Sequence, residues 1–188
     1  RLMEKLKNHH GKNSMLVVRP ADAEETTVAW KLAMDNTDTP TALIFSRQNV
    51  DMLPPGNDYN QATKGAYIVK GSDENPDVVL LASGSEVSTL NEAAALLRND
   101  GIRVRLVSVP SEGLFAEQPR EYRQSVLPDN IKRFGLTAGL PVNLEGLVGS
   151  NGTVFGLDHF GYSAPYTVLD EKFGFTADNI YREVKKIL

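Results

Sequence analysis

The clearest hydrophobic pattern in the chain runs from Asp77 to Pro110. The run Val78-Val79-Leu80-Leu81-Ala82 has no polar alternation and predicts a strand covered on both faces. After the turn Ser83-Gly84-Ser85, residues Val87, Leu90, Ala94 and Leu97 recur at spacings of three and four. That spacing predicts a helix from Glu86 to Asn99 whose apolar face lies on a sheet. Ser85 is expected to cap the helix, and Gly101 to supply a positive φ where the chain leaves it. Residues Ile102 to Val109 give a second apolar strand, so the unit reads βαβ with a right-handed crossover.

The rest of the chain carries the same alternation of short apolar runs and helical periods. Leu2, Met3 and Leu6 are spaced as in a short amphipathic helix, and Ser14 to Arg19 reads as a strand ended by Pro20. Asp22, with Glu25 three residues on, forms a capping-box pattern opening a helix that carries Ala29, Trp30, Ala33 and Met34. Asn36 to Pro40 breaks it, and Thr41 to Ser46 is a strand. Residues 14–46 thus form a second βαβ unit, whose two strands are too few to stand alone. Residues 51–65, rich in Pro, Gly and Asn, read as a linker between an incomplete first unit (1–50) and a domain spanning 66–188. Within that domain, strands are expected at Ala66–Val69, over 131–138 and at Thr153–Asp158. Helices are expected from Pro119 to Leu127, from Pro165 through Phe173, and after a Thr176 cap with Ile180, Val184 and Ile187 on one face. The segment Leu140 to Gly152 shows no regular period. The fold class is therefore α/β: a mostly parallel sheet of about five strands with helices on both faces, preceded by a partial α/β unit.

Composition narrows the function. With 188 residues, 41% hydrophobic and 23% charged, the chain can bury a real core. A net charge of -4 with scattered Lys and Arg argues against nucleic acid or an anionic membrane as partner. No window is apolar for long enough to span a bilayer, which points to a cytoplasmic location. Zero cysteines exclude disulfides and thiolate chemistry. The chain begins at Arg1, as expected of a piece of a larger protein.

Four candidate sites bear on chemistry. The turn Ser83-Gly84-Ser85-Glu86 opens a helix after a buried strand, where α/β proteins often bind phosphate, yet it matches no dinucleotide, P-loop or nucleophile-elbow pattern. A purely structural turn is the plainer reading. His9 and His10 are adjacent and cannot share a helix face, as metal binding would require. His159, between Asp158 and Phe160 at the end of a strand, has no evident partner. Arg47 is the strongest candidate. It follows a strand directly, beside Ser46, Gln48 and Asn49, so a guanidinium, a hydroxyl and two amides stand at the carboxyl edge of a parallel pair. That set suits an anion such as phosphate. The alternative is an arginine paired with the acidic linker.

Several segments together resemble the carboxyl-terminal portion of the transketolase family: Val18-Arg19-Pro20-Ala21-Asp22-Ala23-Glu24-Glu25-Thr26, Phe45-Ser46-Arg47-Gln48-Asn49, Ala82-Ser83-Gly84-Ser85-Glu86-Val87, Ser125-Val126-Leu127-Pro128 and Phe160-Gly161-Tyr162-Ser163-Ala164-Pro165. Five motifs in order with sensible gaps are specific. The resemblance implies a transferase of two-carbon ketol units between sugar phosphates in pentose phosphate metabolism, usually a homodimer. It implies thiamine diphosphate and Mg2+ (or Ca2+) as cofactors of the intact enzyme, with none expected on this part and no catalytic, cofactor or metal residue carried over to it. It also implies that Arg47, with Ser46 beside it, binds the sugar-phosphate terminus. His159 stands where many members carry Arg, so no catalytic role passes to it. The alternatives are the β subunit of 2-oxo acid dehydrogenases, a deoxyxylulose-phosphate synthase, or a non-catalytic assembly or regulatory module.

Overall fold

A computed structural model describes Glu4 and residues 6–188, so the helix expected through Leu2 and Met3 lies outside the described residues. Strand β1 (Leu16–Val18) pairs in parallel with β2 (Thr41–Leu43) across helix α1 (Ala23–Asp35). The helix starts as the capping pattern dictates. The Asp22 carboxylate accepts from the Glu25 N–H, and the Glu25 carboxyl reaches back to the Ala21 N–H at 2.8 Å. Within the stretch expected as linker, Leu53 and Ala62 are buried, and residues Tyr59–Lys64 form a 3-10 helix ended by Gly65 at φ 85°.

Five further strands make the main sheet: β3 (Tyr67–Ile68), β4 (Val78–Ala82), β5 (Val104–Ser108), β6 (Lys132–Leu136) and β7 (Thr153–Phe155), in the order β3-β5-β4-β6-β7. All neighbours run parallel except β3, which is antiparallel to β5. Every residue of the central strand β4 is buried. Its Val78, Leu80 and Ala82 side chains join one core with Leu90 and Leu97 of α2 (Glu86–Asn99) and Ile180 and Val184 of α7 (Ala177–Lys185). Val79 and Leu81 join the opposite core with Phe115 of α3 (Glu112–Ala116), Val126 of α4 (Arg120–Val126), and Leu147 and Val148 of α5 (Glu145–Val148). The absence of alternation in β4 thus reflects helices on both faces.

Some local expectations need correcting. Ser85 does not cap α2: it sits in helical conformation, φ -57° and ψ -25°, and its hydroxyl donates to Glu86 Oε2 at 3.2 Å. Pro165 precedes helix α6 (Tyr166–Phe173) instead of lying in its first turn, and Thr176 caps α7 as expected. Helix α3 was not foreseen, because five residues containing Gly113 show no period. At Gly113 a Cβ would stand 2.7 Å from the Glu4 carboxylate, which accepts the Gly113 N–H, so a larger residue would push that side chain aside. Leu140 to Gly152 holds a 3-10 turn, Pro141–Asn143, followed by α5.

Phe134 lies on β6 beside β4 and is 1% exposed. Phe134→Ala should cost about 3–5 kcal/mol in equilibrium urea unfolding, the usual range for emptying such a site. A loss below about 1 kcal/mol would mean that the sheet is not packed as described.

Candidate functional site

The carboxyl ends of the strands bring three arrangements together. The first is the turn after β4. Gly84 adopts φ +66°, and a Cβ there would fall 2.6 Å from Arg19 Cζ, so only glycine lets the arginine lie against the turn. Arg19, just beyond β1, donates to the Ser83 carbonyl at 2.7 Å and pairs with Glu86 Oε2 at 2.7 Å. Glu86 is buried and also accepts from the Ala138 N–H at 2.7 Å, at the end of β6. The place where a phosphate would rest on this turn is taken by Arg19, so the turn is structural.

The second arrangement buries two carboxyl groups where α1 meets the main sheet. Glu25 is 1% exposed and Asp22 is 2% exposed. Glu25 Oε1 accepts from Ser108 Oγ at 2.6 Å and from the Tyr67 hydroxyl at 2.8 Å. Asp22 Oδ2 accepts from the Tyr59 hydroxyl at 2.7 Å and from the Leu53 N–H at 3.0 Å. Burial pushes the Glu25 carboxyl above the usual glutamate range, against the pull of its hydrogen bonds. Tyr59 and Tyr67 are pushed up as well, by burial first and then by the negative charge of their carboxylate partners.

The third arrangement is the segment after β2. Its first residue, Ile44, donates to the Val18 carbonyl at 2.9 Å, and Phe45 stacks on Trp30 with centroids 6.3 Å apart. Arg47 is exposed, and among the described residues its guanidinium has no hydrogen bond or ion pair. Among the described residues no ion pair joins Arg47 to the acidic linker. Ser46 is half-buried beside it. Gln48 and Asn49 line a cavity of about 680 Å3 between the start of α2 and the α6–α7 region. Asp51, Glu86, Glu92, Asp170, Glu171 and Asp178 also line that cavity, so the two amides face an acidic surface. Burial, and then the charge of Glu86, raise the Asp170 carboxyl.

His9 and His10 are exposed in a turn. His159 is exposed, with Nδ1 2.8 Å from the Phe160 carbonyl oxygen and its ring 5.3 Å from that of Phe173. Among the described residues no group of three His, Asp or Glu side chains could hold a metal ion.

Residues 65–176 match the family model for the transketolase-like TK C-terminal domain. The chain belongs to the transketolase family. It is 44% identical over 177 residues to a transketolase of Staphylococcus aureus, covering 93% of this chain but 27% of that relative. Among solved structures, transketolase from Leishmania mexicana superposes with TM-score 0.85 at 37% identity, over 93% of this chain and 25% of that one. A Pichia stipitis transketolase in complex with sedoheptulose 7-phosphate superposes with TM-score 0.86 at 33% identity, over 93% of this chain and 25% of that one. The chain thus spans about a quarter of the length of the relatives it matches.

Sequence reasoning missed the role of Arg19 and the partners of Glu25. A glutamate at the third position of a helix signals capping, but Tyr67 and Ser108 lie 42 and 83 residues away and carry no local mark of the contact. Arg19→Ala would leave Glu86 buried without its counter-charge and should cost about 3 kcal/mol. Urea unfolding of Arg19→Ala, and of Arg19→Ala combined with Glu86→Gln, checks this: the second change should restore much of the loss.

Proposed function

We propose that this chain is the carboxyl-terminal part of a transketolase, and that within the whole enzyme Arg47 and Ser46 hold the phosphate end of the sugar substrates. The observation that carries this reading is the free, exposed guanidinium of Arg47 on the segment that leaves the carboxyl end of β2. An arginine so placed can give paired N–H bonds to a phosphate, and the neighbouring Ser46 hydroxyl can add a donor without charge repulsion. The complex of the Pichia stipitis relative with sedoheptulose 7-phosphate supports a sugar phosphate as the anion.

The reaction proposed for the whole enzyme is transfer of a two-carbon ketol unit between sugar phosphates, as in pentose phosphate metabolism. Thiamine diphosphate with a divalent metal would supply the electron sink for C–C cleavage. The proposal places cofactor binding on segments outside this chain, because none of the motifs that carry the resemblance is one tied to the cofactor or its metal. The part of the chemistry left to these residues is binding and orientation: the phosphate anchor fixes one end of the substrate, and the reacting carbonyl is presented elsewhere.

A homodimeric, cytoplasmic enzyme fits the same reading. Trp30, Met34, Ile44 and Phe45 expose apolar surface around a two-stranded sheet, and Met34 is 76% exposed. A sheet of two strands is marginal in water, so further chain is expected to cover this face. Among the described residues no helix is long and apolar enough to cross a membrane. The comparisons do not favour a dehydrogenase subunit or a synthase of the related families.

Arg47→Ala in the full-length enzyme should weaken binding of phosphorylated sugars by about 1–3 kcal/mol, the size of a lost charge-assisted hydrogen bond. Unphosphorylated analogues should be affected much less. Steady-state kinetics with both substrate types is the check, and an unchanged preference for the phosphorylated sugar would refute the assignment.

A further inference from the structure

We propose that Asp22 is a positioning residue for the phosphate anchor: its buried carboxylate pins the downstream end of the segment that carries Arg47. This inference rests on the reading of Arg47 given above.

The segment is held at two points. At its start the Ile44 N–H donates to the Val18 carbonyl. At its end the Leu53 N–H donates to Asp22 Oδ2. Between them, among the described residues, no hydrogen bond holds residues 45–52. The stacking of Phe45 on Trp30 steadies only the beginning. The position of Arg47 therefore depends on how the two ends are held, the second by the buried Leu53 side chain together with a side-chain bond that a single substitution can remove.

Asp22 is suited to that work because it is itself fixed from other directions. Its Oδ1 accepts the Glu25 N–H at 2.8 Å, which locks it to the first turn of α1. Its Oδ2 takes the Tyr59 hydroxyl as well as the Leu53 N–H, which ties the same atom to the 3-10 helix. Glu25, one turn on, bonds Tyr67 of β3 and Ser108 of β5. The Asp22 carboxylate thus relates the Arg47 segment to α1 and the 3-10 helix, and Glu25 carries the link on to the main sheet. Leu53 is buried in the main core, so its backbone N–H would face a desolvated site with no acceptor if Asp22 were lost. A loosened segment must be ordered again when the phosphate binds, and that cost falls on substrate binding and not on the chemical step.

The test uses the full-length enzyme with Asp22→Asn, Tyr59→Phe and Arg47→Ala, each assayed with a phosphorylated and an unphosphorylated acceptor. Asp22→Asn keeps the shape: its carbonyl oxygen stays on the Glu25 N–H, and its N–H2, in place of Oδ2, donates to the Tyr59 hydroxyl and leaves the Leu53 N–H without an acceptor. It should raise KM for the phosphorylated acceptor about tenfold, the effect of one lost hydrogen bond, with kcat and the unphosphorylated KM nearly unchanged. Tyr59→Phe leaves the Leu53 bond in place and should leave both KM values near wild type. A selective effect of Arg47→Ala with no selective effect of Asp22→Asn overturns the positioning role and leaves the Arg47 reading standing. No selective effect of Arg47→Ala overturns both. Hydrogen exchange of the wild-type protein gives a check that needs no variant to fold: the Leu53 amide should be as protected as that of Glu25. Exchange of Leu53 as fast as its neighbours in 45–52 overturns the proposal.

Discussion

Glu25 and Asp22 carry carboxyl groups into a junction that water does not reach, and each is kept there by donors from elements far away in sequence. A buried carboxylate is costly unless its lone pairs are filled. Here they are filled by Ser108, Tyr67, Tyr59 and the backbone of Ala21, Glu25 and Leu53. These donors belong to the turn before α1, α1 itself, the chain after β2, the 3-10 helix, β3 and β5. None of these elements can shift without orphaning a polar group, so the junction fixes how the first unit sits on the main sheet. Breaking such a network is more damaging than its net stabilisation would suggest, because the penalty is that of the groups left unpaired.

The second contact between the units works on the same principle with opposite charge. Arg19 leaves β1 and lies over Gly84, reaching Glu86 at the start of α2. Glu86 in turn holds the backbone at the end of β6 through Ala138. The carboxyl ends of β1, β4 and β6 are therefore tied by one arginine and one glutamate. That edge is where an α/β sheet offers its loops for binding, and in this chain the central turn is given over to holding the units together. The exposed cation of the motif, Arg47, stands on the neighbouring segment.

Much of the architecture was legible because it rests on local rules. The apolar run of β4, the three-and-four spacing in α2, the Asp22 and Thr176 caps and the positive φ of Gly101 (77°) all follow from near neighbours. What was not legible depends on distant partners or on pieces too short for a period. Ser85 carries a capping side chain but enters the helix already in helical conformation, because the turn at Gly84 is shaped by Arg19. Helix α3 has five residues and exists through Ser111 and the Glu4 contact. For the candidate site, the sequence placed Arg47 and Ser46 after a strand and suggested two amides as further donors. The structure sends Gln48 and Asn49 to an acidic cavity instead, a matter of how the segment meets α2 and α6 that no spacing encodes.

The central claim is that a desolvated acidic junction holds the Arg47-bearing unit against the main sheet. Its most direct test is the titration of the Glu25 carboxyl carbon by NMR in the folded protein. The account predicts a midpoint above the ordinary glutamate value, with Glu25→Gln removing that resonance and identifying it. A group raised in this way stabilises the fold fully below its unfolded pKa, and that contribution is lost as pH rises through the folded pKa. A midpoint at or below the ordinary value would mean that burial does not outweigh the hydrogen bonds from Ser108, Ala21 and Tyr67, and a desolvated junction would not be the constraint that orders the molecule.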